Sequence, residues 1–221
     1  MDSLDSTVDF FDETTKEIEL LIRYAKRNKN DFLRFSTFNK SAIVLLCSKF
    51  EAFLENFLEE YSFLHLTHSN NKTLDRNIYE HLIDNLIDTI EISKNKKIKR
   101  KPHIENLSLL CGTEEINDLL SYKINAKFKY GKHGQKEIEK LMSNFGFSRL
   151  IKTESSIKFL RKFNSLNAIR NNIIHEDATP SLTTNDVELH YKNIADFIKE
   201  LDKEAVIKLT RIIPITVPNN V

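Results

Sequence analysis

The chain has 221 residues, 33 basic against 32 acidic side chains, and only 4 Gly and 4 Pro. It is long enough to bury a continuous core and too poor in turn residues for a strand-and-turn architecture. A net charge of +1 excludes global attraction to nucleic acid, so binding of that kind has to come from local patches.

Cys47 and Cys111 are the two cysteines, which argues against a disulfide framework. The opening MDSLDSTVDFF lacks the basic-then-apolar order of a signal peptide, and the apolar run Ala42–Cys47 is far too short to span a bilayer. A reduced, cytoplasmic protein with no membrane segment is the expectation.

Helical spacing of apolar residues predicts a first helix over about Thr7 to Arg27, with Phe11, Ile18, Leu21, Ile22 and Ala25 on one stripe. After the polar break Asn28–Asn30, a long helix is predicted over about Thr37 to Leu66. Its stripe is Ile43, Leu46, Cys47, Phe50, Phe53, Leu54, Phe57 and Tyr61. A third covers about Arg76 to Ser93.

Residues 94–134 break the pattern and read as an insertion with short helices, including one over 114–122. Further helices are predicted over about Gln135 to Asn144, ended by Gly146, and over about Ser155 to Glu176, stopping before Pro180. The last starts near Thr184 or Asn185, where Asn185 and Glu188 have the spacing of a reciprocal cap. Residues 207–221 form a proline-broken tail. The whole reads as one all-α domain over residues 1–221.

The segment Arg170-Asn171-Asn172-Ile173-Ile174-His175 carries the chemistry. On a helical wheel with Phe159 at zero, Phe163, Leu166, Ile173 and Ile174 fall within about 60° of it and Arg170 near about 20°. A guanidinium on an apolar face has to be paired or border a cleft. Asn171 and His175, four apart, share a neighbouring flank. Glu51, at the margin of the long helix's apolar arc, is the candidate acid to orient Arg170 or His175, since carboxylate and guanidinium pair through two parallel hydrogen bonds.

These residue types suit cleavage of RNA without a metal. An imidazole, which changes charge near neutral pH, moves a proton at the 2′-hydroxyl or the leaving 5′-oxygen. Arg170 stabilises charge building on the phosphate, and Asn171 holds a phosphate oxygen or the imidazole. One histidine does not readily serve as both acid and base, and a symmetric dimer supplies two. Residue chemistry alone favours a structural reading of the same residues, with Arg170 in an internal ion pair and His175 on the last helix carbonyls.

The stretch Ala168–His175 resembles the motif of HEPN (higher eukaryotes and prokaryotes nucleotide-binding) ribonucleases: an arginine, four to six residues, then a histidine, here with polar Asn171 directly after the arginine. Ser41–Glu59, reading SAIVLLCSKFEAFLENFLE, resembles the long early helix of the prokaryotic RiboL-PSP-HEPN branch, and Asp186–Lys203 its closing helix. Roughly two thirds of the chain is similar, and residues 94–134 look lineage-specific.

The resemblance implies an antiparallel helical bundle that dimerises through the motif-bearing helices around a shared RNA cleft. It implies metal-independent endoribonuclease activity with Arg170, Asn171 and His175 as site residues, no cofactor, and a toxin–antitoxin or anti-phage setting with a cognate antitoxin or defence partner. Members that keep the fold without activity leave an alternative: an inactive module for dimerisation or for RNA or protein binding. Asp177 stands where partner-modified toxins carry a tyrosine, so control by tyrosine modification is not expected.

Six of the eight residues from Lys94 to Lys101 are basic. Lys96, Lys97, Lys99, Arg100 and Lys101 are therefore candidate contacts to an RNA backbone, although charge runs also serve as plain solvated surface. His65 and His68, three apart without a carboxylate or cysteine pair at suitable spacing, do not predict a metal site. Gly131 and Gly134 read as a turn, not a phosphate loop.

Overall fold

The computed structural model describes residues 2–93, 97–122, 124–128, 134–176 and 181–213, and every regular element among them is helical. In chain order these are α1 (Asp5–Asp9), a π-helical turn (Phe10–Thr14), α2 (Thr15–Arg27), α3 (Phe32–His68), α4 (Arg76–Ile92), α5 (Lys97–Leu110), α6 (Gln135–Asn144), a 3-10 turn (Leu150–Lys152), α7 (Glu154–His175) and α8 (Thr184–Leu209). The expected all-α bundle is what forms. Lys96, Gly131, Asp177, Pro180 and the tail from Pro214 lie outside the described residues.

The 37-residue α3, about 55 Å long at 1.5 Å per residue, is the axis. Its buried residues include Ile43, Leu46, Cys47, Phe50, Phe53, Leu54, Phe57, Leu58 and Tyr61, an arc wide enough to take neighbours on more than one side. The helices α2, α7 and α8 pack on it, α7 and α8 pack on each other, and α4 carries α5 and α6. Phe50 is fully buried at the junction. Its ring lies 4.8 Å from Phe163, 5.6 Å from Phe159 and 6.2 Å from Phe197, so one α3 side chain sets the positions of both α7 and α8.

Helix ends show where local chemistry outran periodicity. The long helix begins at Phe32, five residues before the expected Thr37, because the Asp31 side chain accepts from the Arg34 N–H. Phe32 and Leu33, in its first turn, are about three-quarters exposed and so add nothing to the core stripe. The last helix is capped by Thr183 and Asp186 acting reciprocally, not by Asn185 and Glu188. The α6 end is as expected. Gly146 has φ +83°, its N–H donates to Ser143 O and the Phe147 N–H to Met142 O, a Schellman end that favours glycine.

The expected helix over 114–122 is absent: residues 111–122 are irregular and the helix of this region is α5. Asn71 explains the irregular stretch. Its amide donates to Leu110 O and Glu114 O, and its carbonyl accepts from the Ile116 N–H, replacing bonds a helix would have made.

His65 is 3% exposed, and neither ring nitrogen has a hydrogen-bond partner among the described residues. Burial, opposed by Asp75 and reinforced by Lys208, pushes its pKa down from 6.5 to about 4. The folded protein therefore keeps this imidazole neutral while the unfolded chain takes up a proton below pH 6.5. Stability is lost as pH falls from 6.5 towards 4, by about 3 kcal/mol in total. Replacing His65 with Leu is expected to remove this pH dependence and to cost little at pH 7.5. Chemical denaturation of both proteins at pH 7.5 and pH 5 checks it, and an equal loss on acidification in both would count against it.

No helix among the described residues is long and apolar enough to cross a membrane.

Candidate functional site

The helix that carries the motif is well anchored at its start and thins at its end. Thr153 caps α7 by accepting from the Ser156 N–H. Ser156, Phe159, Leu160, Phe163, Leu166 and Asn167 are buried along it, while Ile169 and Ile173 are only partly covered. In these last turns Arg170 takes a half-buried place on the packed side. Its Nη1 donates to Asn171 Oδ1 at 3.0 Å, and its Nε is enclosed without a hydrogen-bond partner among the described residues. Because the Asn171 carbonyl accepts from Arg170, its NH2 group is the half left to donate elsewhere.

Asn171 itself is half-buried, and His175, the last residue of α7, is exposed. On the wheel Asn171 lies between Arg170 and His175, at about 120° against about 20° and 160°. The Arg170–Asn171 bond thus links a cation on the packed side to the flank that carries the imidazole. His175 makes no hydrogen bond among the described residues and is not tied to the last carbonyls of its helix.

Glu51 is half-buried on α3. The Cys47 thiol is pushed up to about 12, first by burial and then by Glu51, with Arg170 opposing. Cys47 is thus a protonated packing residue, and the Glu51 and Arg170 charges bear on it from two different helices. The Arg170 guanidinium meets Asn171 on its own helix.

Ile174 also departs from expectation: it is 46% exposed, not part of the packed face. Its neighbour in sequence, Ile173, lines an open groove of about 580 Å³ whose other apolar residues include Leu21, Val44 and Leu45. The neighbouring chain is fixed to α3, where Asn39 Nδ2 donates to Leu182 O at 3.2 Å in a buried contact, and the Thr183–Asp186 box follows immediately. The C-terminus of α7 and the N-termini of α3 and α8 therefore lie at one end of the bundle.

The described part of the basic run lies on α5, apart from the helices that meet at this end. Lys97, Lys99 and Lys101 are exposed and Arg100 half-buried on α5, a helix packed on α4, and Lys101 lies 3.6 Å from Glu105. His65 is buried whereas His68 is exposed. Among the described residues, no group of three or more His, Cys, Asp and Glu side chains is placed to hold a metal ion.

Three further glutamates on α3 bind distant parts of the chain. Glu55 accepts from the Phe128 N–H at 2.8 Å and pairs with Lys127 at 3.2 Å, and Glu59 reaches Lys127 at 4.0 Å. The Glu60 carboxylate accepts from the Asp5 and Ser6 N–H groups, satisfying donors at the start of α1. Their sequence spacing does not mark them, because their partners lie 54 or more positions away.

A family model described as RiboL-PSP-HEPN matches residues 9–206. No curated protein and no solved structure matches the chain.

Proposed function

Because the chain belongs to the RiboL-PSP-HEPN family, we propose that it is a metal-independent endoribonuclease. It works as a cytoplasmic homodimer in toxin–antitoxin or anti-phage defence, under the control of a cognate antitoxin or defence partner. The observation that carries this reading is the arrangement at the end of α7: an exposed His175, and a half-buried Arg170 that holds the Asn171 carbonyl and leaves its NH2 group to donate elsewhere.

In the proposed reaction the 2′-oxygen attacks the adjacent phosphorus while the bond to the 5′-oxygen breaks, leaving a 2′,3′-cyclic phosphate and a 5′-hydroxyl. One imidazole takes the 2′-hydroxyl proton and the other protonates the leaving oxygen, so each protomer supplies one His175. Arg170 stabilises the charge on the non-bridging oxygens and the Asn171 NH2 donates to one of them. Expression in cells tests this reading: growth arrest with cut RNA supports it, and intact RNA at full expression would remove it.

The partly exposed Ile174 and the adjacent groove favour the same end as the dimer contact. Ile174→Asp is expected to raise the dimer dissociation constant at least tenfold without unfolding the protomer, read by sedimentation. Unchanged association would place the dimer contact elsewhere. The competing reading, an inactive module that dimerises or binds RNA or protein, uses this same surface. It expects no cleavage by the pure chain.

A further inference from the structure

A second groove opens on the opposite flank of α2 from the one beside Ile174. It has a volume of about 540 Å³ and lies between α2 and the first turns of α8, lined by Glu19, Arg23, Lys26, Arg27, Glu188 and Tyr191 with Ile22 at its base. Lys26 pairs with Glu188 across it. Arg23 and Arg27 have no ion pair among the described residues and both are exposed. Three cations therefore face two carboxylates, and among the described residues the mutually neutralised pair is Lys26–Glu188.

Aromatic rings accompany the cations. Arg27 lies over the Tyr24 ring at 6.0 Å, and Tyr24, itself 41% exposed, stacks on Phe38 at 5.5 Å and 25°. The Tyr191 hydroxyl is held by Thr15 at 2.6 Å, which fixes that ring as a wall. Glu188 and Tyr191 lie about 6–10 Å along α8 from its N-terminus, the end that adjoins the α7 terminus. Lys29 is exposed in the turn that closes α2 at this end.

We propose that this α2–α8 groove holds the sugar-phosphate backbone of the RNA strand beyond the cleaved bond, with Arg23 and Arg27 on successive phosphates and Tyr24 against a base. The proposal rests on the RNA-directed reading above and deepens it. Two exposed arginines without carboxylate partners among the described residues, with a solvent-facing ring beside Arg27 at the groove's edge, match a phosphodiester strand better than they match an apolar protein surface. Glu19 on the same wall is an acceptor suited to a ribose hydroxyl. The basic run of α5, by contrast, has no aromatic companion and is carried by α4.

The test is equilibrium binding of a 2′-O-methyl oligoribonucleotide of about 12 nucleotides to the full chain, across a salt series. This probe cannot be cut, so binding is read independently of catalysis. The R23A/R27A double variant is expected to bind at least tenfold more weakly, with a log K against log salt slope shallower by about 1.4. A K72A/R76A control, which removes two exposed cations beside the other end of α3, is expected to bind as the parent does.

Equal affinity of R23A/R27A and parent overturns the groove assignment. So does equal weakening in both double variants, no binding by the parent, or a changed oligomeric state with RNA affinity intact, which would mark a protein interface. Cleavage of unmodified RNA, lost in His175→Ala, is scored separately. Absence of cleavage with groove-dependent binding removes the nuclease reading alone, and cleavage without groove-dependent binding removes this proposal alone.

Discussion

His175→Ala is expected to lower RNA cleavage by about 10²–10⁴-fold, the range for loss of a positioned general acid or base, while leaving the melting temperature within about 1 °C. The second half of that expectation follows from position. His175 is exposed at the last turn of α7 and makes no hydrogen bond among the described residues, so truncation opens no cavity and strands no partner. Arg170→Ala is the less clean experiment. That side chain is half-buried, bonds Asn171 and bears on buried Cys47, so its loss lowers activity and stability together. Arg170→Lys sharpens the contrast, because it keeps the charge but loses the planar fork that orients Asn171. A fall in cleavage with near-parental stability in Arg170→Lys assigns geometry, not charge alone, to the site.

Phe50→Ala is expected to produce the largest loss of stability, about 3–5 kcal/mol. For a chain of this size that is roughly a 10 °C fall in melting temperature. Phe50 is fully buried and its ring meets Phe53, Phe159, Phe163 and Phe197, so truncation opens a cavity where α3, α7 and α8 converge. Cys47, one turn away on α3, lies under the influence of Arg170. Loosening this junction therefore reaches the motif, and activity is expected to fall well below the unfolding midpoint. Calorimetry alongside a cleavage assay checks both parts. A variant that melts within a degree or two of the parent would mean the junction closes around the gap and α7 is held by other contacts.

The helices were legible because their apolar residues recur at helical spacing, and the motif because its residue types and order are distinctive. What escaped reading depends on single side chains that bind backbone groups, some next door and some far along the chain. Asp31 starts α3 early, Asn71 turns residues 111–116 away from helix, and Glu55 and Glu60 bind backbone N–H groups far along the chain. None of these leaves a periodic trace.

At the site, wheel geometry placed Arg170 on the packed side, and the bond to the adjacent Asn171 was not read from it. The same wheel buried Ile174, which is half-exposed because the α7 stripe loses its cover in the final turns. The α2–α8 groove was not visible at all. Its residues come from two helices separated by most of the chain, and pairs such as Lys26–Glu188 and Thr15–Tyr191 join helices whose sequence separation hides the contact.

The central claim is metal-independent RNA cleavage that depends on His175, and the chemistry of the cut ends tests it most directly. Purified protein and its His175→Ala variant would be incubated with a defined RNA in the presence of chelator, and the termini identified by mass spectrometry. The account expects 2′,3′-cyclic phosphate and 5′-hydroxyl ends from the parent and uncut RNA from the variant. Ends bearing a 3′-hydroxyl and a 5′-phosphate, or equal cleavage by His175→Ala, would contradict it.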